Sequence, residues 1–137
     1  MFDEYAKKLK TLEQDVPKIF KKVSKRGAIK FVKLAKDRTE KEGLVDTGNY
    51  KRNWEAEAIE PLPEIYGIEC KNSVEYASFL EYGHRVRNGG KTKGKFVGKL
   101  SLEDTEFFCI EELETALEKA YKKSKPVLNI VIIKLWQ

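Results

Sequence analysis

Apolar residues in the first forty positions recur at steps of three and four, the spacing of one face of an amphipathic helix. Proline fits the first turn of a helix but not its interior, so Pro17 predicts an interruption. We therefore predict a first helix near residues 2–14, a kink or break around 15–17, and a longer helix near 17–40. The apolar positions are Phe2, Tyr5, Leu9, Leu12, Val16, Phe20, Val23, Gly27, Phe31 and Leu34.

The middle of the chain alternates between apolar and polar residues, which predicts half-buried strands. Alternation over residues 54–58 and again over 66–71, with Pro61 and Pro63 between them, predicts a hairpin. Trp54 should belong to the core because of its size. A turn precedes the hairpin, since Asp and Asn side chains bond nearby backbone amides and glycine tolerates a positive φ. The residues of this turn are Asp46, Thr47, Gly48 and Asn49.

The remaining pattern predicts two more helices and two apolar segments. A short helix should run from Val74 to about Tyr82 and end at Gly83. Residues 96–102 are interpreted as a third strand, and a last helix near 102–123 would be capped by Ser101. Residues 127–135 predict a final strand or an extended arm. The predicted core faces are Tyr76, Phe79, Leu80 and Tyr82 in the short helix, and Ile110, Leu113, Leu117, Ala120 and Tyr121 in the last helix.

These elements predict an α+β fold, with N-terminal helices packed on a small, mostly antiparallel sheet and a further helix near the C-terminus. With 137 residues, one domain is expected over residues 1–126, followed by an arm or strand at 127–137. No apolar run approaches the roughly 20 residues that span a bilayer, so a membrane is not an expected partner. Cys70 and Cys109 are predicted to be reduced packing residues.

The net charge of +5 is unevenly distributed. Residues 46–83 are acidic, whereas 84–99 contain six cations and no acid. Opposite patches on identical subunits favour self-association, and a basic patch also favours nucleic-acid contact. The basic loop at 84–95 contains Arg85, Arg87, Lys91, Lys93 and Lys95. It is compatible with three roles: non-specific phosphate contact, docking into an acidic groove of a neighbouring subunit, or a solvated hairpin tip.

No group of residues in the sequence predicts catalysis. His84 is the only histidine, and no carboxylate other than Glu81 lies near it in sequence to orient a catalytic base. The strand acids Glu55, Glu57 and Glu69 are typical of exposed, solubilising charge. Phosphate-binding loops and metal-ligand spacings are also missing from the sequence, so we expect no catalytic residue, no metal and no cofactor.

Two segments together resemble a known family. Residues 45–54 read VDTGNYKRNW, and residues 74–84 read VEYASFLEYGH. They are similar to the motifs of the tail-completion or head–tail joining proteins of long-tailed bacteriophages and prophages, the tail-component family. The similarity covers about residues 1–123, although His84 stands where the family commonly has a small hydroxyl residue. The matching positions in the second motif are Val74, Tyr76, Ala77, Phe79 or Leu80, Glu81, Tyr82 and Gly83.

The resemblance implies a structural virion protein of the tail or neck that is made in the cytoplasm of the bacterial host. Its expected partners are copies of itself in a ring, with six copies expected, and the neighbouring neck and tail proteins. DNA passing through the ring would be a non-specific contact. The alternative hypothesis is a basic nucleic-acid-binding module.

Overall fold

The computed structural model describes residues 2–44 and 48–124. Asp46, Thr47 and the arm at 127–137 lie outside these residues. Two long helices and a hairpin dominate, and they confirm the predicted α+β class. The elements are α1 (Phe2–Lys41), α2 (Asn49–Arg52), β1 (Trp54–Leu62), β2 (Ile65–Asn72), α3 (Ala77–Tyr82) and α4 (Val97–Ser124).

Helix α1 is continuous through Pro17, so the predicted division into two separate helices is wrong. A proline inside a helix removes one backbone hydrogen bond and costs about 3 kcal/mol. The apolar stripe keeps its phase across this site, and Val16 and Phe20 are both half-buried. Packing on either side of the proline therefore favours a single helix of forty residues, about 60 Å long.

Strands β1 and β2 form the predicted antiparallel hairpin, with Trp54 opposite Asn72 and Ala58 opposite Ile68. Side chains alternate between the two faces of a strand. The face that carries Trp54 packs on α1, and the opposite face is exposed. That exposed face carries Glu55, Glu57 and Glu69, as the sequence predicted.

Helices α1 and α4 pack antiparallel through small residues. Arg38 pairs with Asp104 at 2.7 Å, and Arg26 pairs with Glu112 further along both helices. Between these pairs a Cβ at Gly27 would overlap the Cys109 thiol. Most fully buried side chains along this contact are small: Ala28, Ala35 and Thr39 on α1, and Val97, Ser101 and Thr105 on α4.

Helix α4 differs from its prediction in two respects: the residue at which it begins and the face that it buries. Residues 97–102 form its first turns, so the third strand is wrong, and Ser101 is buried inside the helix instead of capping it. The predicted core positions Ile110 and Leu117 are exposed. Apolar residues lie on two faces of this helix, and the face with the smaller side chains is the one that packs on α1.

The aromatic residues around α3 are also exposed where a core was predicted. Tyr76, Phe79 and Tyr82 are 41%, 51% and 71% exposed, whereas Leu80 is half-buried. Helix α3 has only six residues, and none of them is fully buried, so the predicted aromatic core does not form around it.

Candidate assembly surface

The first family motif places two aromatic residues, Tyr50 and Trp54, in the core. Gly48 has φ 85°, and the short helix α2 follows it. The Arg52 guanidinium lies over Gly48 and donates to Asn49 Oδ1 at 2.8 Å. This compact turn directs Tyr50 inward, where its ring meets Trp54 edge-on at 5.3 Å. The described part of the motif is therefore structural.

Trp54 is the centre of the small core, which confirms its predicted position. Its side chain is 7% exposed and also meets Phe31 edge-on at 5.7 Å. The indole Nε1 donates to Thr39 Oγ1 at 2.9 Å, and that hydroxyl donates to the Ala35 carbonyl at 2.7 Å. The indole therefore holds β1 against α1 in two ways: its ring packs in the core, and its N–H begins a chain of two hydrogen bonds that ends on the backbone of α1.

The second family motif caps α4 from a distance. Glu81 Oε1 accepts from the Gly98 amide at 2.7 Å, and Oε2 accepts from the Lys99 amide at 2.9 Å. A carboxylate at a helix N-terminus satisfies free amides and complements the helix dipole. Sequence reasoning missed this role because Glu81 lies 16 residues before Val97, far outside the reach of a local capping box.

Two glycines let the backbone on either side of the basic loop pack closely. Gly83 has φ 81° and ψ 170°, and a Cβ there would overlap the Thr92 carbonyl oxygen. A Cβ at Gly94 would overlap the Glu81 carbonyl oxygen. The Glu81 carbonyl also accepts from the Phe96 amide at 3.1 Å. This contact fixes α3 against the start of α4.

The predicted basic loop folds back on itself as a small hairpin. The backbones of Arg85 and Lys91 form an antiparallel β-bridge across the hairpin, and the Thr92 amide donates to the His84 carbonyl at 2.8 Å. The Val86 amide donates to the Gly90 carbonyl at 2.9 Å. We call residues 84–92 the basic hairpin.

The five predicted contact cations do not share one environment. Arg85, Arg87, Lys91 and Lys93 are exposed, and none forms an ion pair with an acid in the described part of the chain. Lys95 lies at the base, 4.0 Å from Glu42, and its amide donates to the Leu80 carbonyl. The basic hairpin therefore presents a concentrated positive charge to solvent.

His84 has an ordinary structural environment. Its ring lies against Phe79 with centroids 5.0 Å apart, and Nδ1 is 3.0 Å from Thr92 Oγ1. Thr92 Oγ1 also accepts from the His84 amide at 2.9 Å. The imidazole supports the base of the basic hairpin.

A second exposed feature is an apolar stripe along the outside of α4. Four residues form it: Leu100, Phe107, Ile110 and Leu117. Their spacing of seven, three and seven residues places all four on one face of the helix. Phe107 is 69% exposed, and Glu103 and Glu114 lie within the same face. We call these four apolar residues the outer stripe.

The opposite surface of the domain carries a complementary pattern on α1. Lys18, Lys22, Lys25 and Lys33 follow one another at helical spacing, and Ile29, 73% exposed, lies among them. We call these five residues the lysine stripe. It faces away from α4, because the buried positions Val23, Gly27, Phe31 and Ala35 lie on the other side of α1.

The titratable groups of the core are held in their neutral forms. Both cysteines are free thiols, as predicted, and burial raises the pKa of Cys70 to about 11 and also raises that of Cys109. Burial, with a smaller contribution from Glu81, raises the pKa of the Tyr50 hydroxyl. These groups act as packing residues at neutral pH.

Within residues 2–44 and 48–124, no three His, Cys, Asp or Glu side chains are grouped so that they could hold a metal ion. Among the described helices, none combines the length and apolarity needed to cross a membrane.

Comparison with known proteins gives one finding. A search of curated proteins and a search of solved structures returned no significant match to this chain. A family model described as "Bacteriophage HK97-gp10, putative tail-component" matches residues 3–83. The match covers α1 from Asp3, the hairpin and both motifs as far as Gly83, and it ends before the basic hairpin and α4, although the expected similarity extended to about residue 123. This chain therefore belongs to the HK97-gp10-like family of bacteriophage tail components.

Proposed function

We propose that this chain is a head–tail joining or tail-completion subunit, which assembles with copies of itself into a ring at the junction of head and tail. Membership in the tail-component family makes it a structural phage protein of the virion. The observation that carries the finer proposal is the outer stripe of α4, a row of large apolar side chains that residues 2–44 and 48–124 leave uncovered.

An exposed apolar row of this kind marks an interaction surface. Phe107 and Ile110 line a shallow depression together with Glu103 and Glu106, so the surface is apolar at its centre and acidic at its margin. An apolar core with a polar rim is the usual anatomy of a protein–protein interface. The inner face of α4 is already used by α1, so the outer stripe remains for a partner.

The lysine stripe on α1 is a suitable counterpart on a second copy. The lysine stripe has one exposed apolar side chain, Ile29, with lysines on either side, whereas the outer stripe has apolar side chains with glutamates beside them. The two surfaces therefore have opposite charge around an apolar centre. The two stripes lie on different sides of the domain, so their contact is heterologous. Repetition of such a contact closes a ring when the rotation between neighbours divides a full turn, and sixfold closure is the expected case.

Replacing Phe107 with aspartate is expected to weaken self-association by at least about 30-fold, because a central aromatic anchor in an interface contributes about 2 kcal/mol or more. Phe107 is largely exposed in the subunit, so folding should be unaffected. The native mass is measured by sedimentation, alone and with tail-tube partners. Leu62→Asp is the matched control, since Leu62 is an exposed apolar residue at the hairpin tip and belongs to neither stripe.

Two outcomes would contradict the proposal. One is a wild-type protein that remains monomeric both alone and with tail-tube partners. The other is a Phe107→Asp variant that assembles as well as Leu62→Asp. A gene neighbourhood with portal and capsid genes on one side and a tail-tube gene on the other would support the joining role independently.

A second candidate function is non-specific contact with DNA, as in a ring through which the genome passes. The supporting observation is the basic hairpin, in which Arg85, Arg87 and Lys91 project into solvent without acidic partners in the described residues. Lysine and arginine bind phosphates by releasing counterions, so such binding weakens steeply with salt.

Neutralising Arg85, Arg87 and Lys91 with glutamine is expected to abolish a salt-sensitive gel shift of duplex DNA. Each lost phosphate contact should also reduce the slope of log affinity against log salt by about 0.9. Changing Lys7, Lys10 and Lys21 to glutamine removes the same charge from exposed positions on α1 and is the control. Equal weakening by both triple variants would mean that only net charge matters, which contradicts a contact at the basic hairpin.

A further inference from the structure

A groove runs along most of β2, with α4 on its far side and α3 beside the end near Asn72. Two depressions of about 450 Å³ and about 380 Å³ lie in it. Residues 70–72 of β2 line the first, and residues 66–68 line the second. Leu102 of α4 lines both, so the depressions are neighbours along one groove.

The groove follows the edge of β2 and not one of its faces. Successive residues of a strand point to opposite faces, so a face would contribute alternate residues. Here consecutive residues line each depression, and the only β1 residue beside them is Trp54. Within the described residues the sheet has two strands, and β1 occupies the other edge of β2. The edge facing the groove therefore presents backbone amides and carbonyls without a strand partner.

The chain itself contains a segment suited to this edge. Residues 127–135, VLNIVIIKL, include seven apolar side chains, five of them β-branched, and contain no glycine or proline. Such a segment has high strand propensity and needs apolar cover. Nine extended residues span about 30 Å, which matches the eight residues of β2 at about 26 Å.

The course of α4 favours a neighbouring copy as the acceptor. Leu113 lines the groove near Tyr66, at the end where β2 begins. From there α4 continues to Ser124, about 16 Å beyond the groove. A return to the same groove would require a reversal and about five extended residues, which would leave Val127 and Leu128 outside it. A groove on another copy can accept the whole segment.

We propose that residues 127–135 of one copy add as a third strand to the free edge of β2 on a neighbouring copy, in the groove beside α4. Strand addition satisfies the exposed backbone groups and gives the apolar side chains the cover of α1 and α4. This inference rests on the proposed function and deepens it, because it names a contact that joins neighbouring subunits.

The test is hydrogen exchange of the β2 amides in the full-length chain, measured with sedimentation over a range of protein concentrations. Val131→Asp combined with Ile132→Asp places a charge on each face of the arm, so one charge enters the groove in either register. Lys134→Gln combined with Gln137→Glu changes the net charge equally and is the control. In the wild type and the control, the outward amides of residues 65–72 should exchange at least about 10-fold more slowly once subunits associate.

The possible outcomes test the contact of residues 127–135 separately from the proposed ring. Protection that depends on both the arm and the concentration supports the inference. Arm-dependent protection that is independent of concentration means that each arm pairs with its own β2, and it overturns the inference. Equal exchange in the aspartate variant and the control also overturns it, while the ring proposal still stands or fails on the Phe107→Asp result.

Discussion

Replacing Trp54 with alanine is expected to cost about 3–5 kcal/mol of unfolding free energy. The substitution would open a cavity between Phe31 and Tyr50, both of which meet the indole edge-on. It would also remove the donor to Thr39 Oγ1 in a fully buried position. Urea unfolding followed by circular dichroism measures the loss, because most of the signal comes from α1 and α4.

Phe107→Ala is the control for this prediction, because it removes an aromatic ring that the lone subunit leaves exposed. Its cost should lie within about 0.5 kcal/mol under conditions where the protein is monomeric. A Trp54→Ala loss no larger than that of Phe107→Ala would show that the indole does not organise the core.

Replacing Gly83 with alanine is expected to cost at least about 3 kcal/mol. Its φ of 81° and ψ of 170° belong to a region used almost only by glycine, and this strain alone costs about 1–3 kcal/mol. The added methyl group would also overlap the Thr92 carbonyl oxygen, which is backbone and cannot rotate aside. The base of the basic hairpin and the Glu81 cap of α4 would have to shift.

Gly89→Ala separates these two causes. Gly89 also has a positive φ, 84°, but nothing lies within 4 Å of the position that a Cβ would take. Its cost should be limited to backbone strain, about 1 kcal/mol. Thermal unfolding of the two variants compares them directly, and equal losses would contradict the close approach at Gly83.

The two strands of the hairpin were the easiest part of the fold to predict. Alternation in β1 and β2 has a period of two, and only one face carries large apolar residues, so the hairpin and the burial of Trp54 followed. The turn prolines located the connection between the strands. These signals are local, and no tertiary contact competes with them.

The helices were predicted less well because their orientation depends on partners. Helix α4 is apolar on two faces, and local sequence favours the face with larger residues, Ile110 and Leu117. The fold instead buries Ser101 and Thr105, whose size allows close approach to α1. Likewise, the cost at Pro17 is local, whereas the packing that keeps α1 continuous involves distant parts of the chain.

The candidate site was predicted in part. The exposed cations at 84–93 follow from the sequence, since glycines and charges without apolar spacing indicate a loop. The role of Glu81 as a cap could not be predicted, because it requires α3 to meet the start of α4 in three dimensions. The outer stripe was not predicted, because the sequence pattern assigned Ile110 and Leu117 to the core and Leu100 to a strand.

The small residues between α1 and α4 have a consequence for the energetics of the lone subunit. A helix contact that buries alanine, serine and threonine, while Phe107, Ile110 and Leu117 of α4 remain exposed, removes relatively little hydrocarbon from water when the subunit folds alone. In the proposed ring, neighbours that cover the large side chains would supply the remainder through mass action, and the midpoint of heat denaturation is then expected to rise with protein concentration. Dilute subunits would then be readily degraded, and assembly itself would protect them.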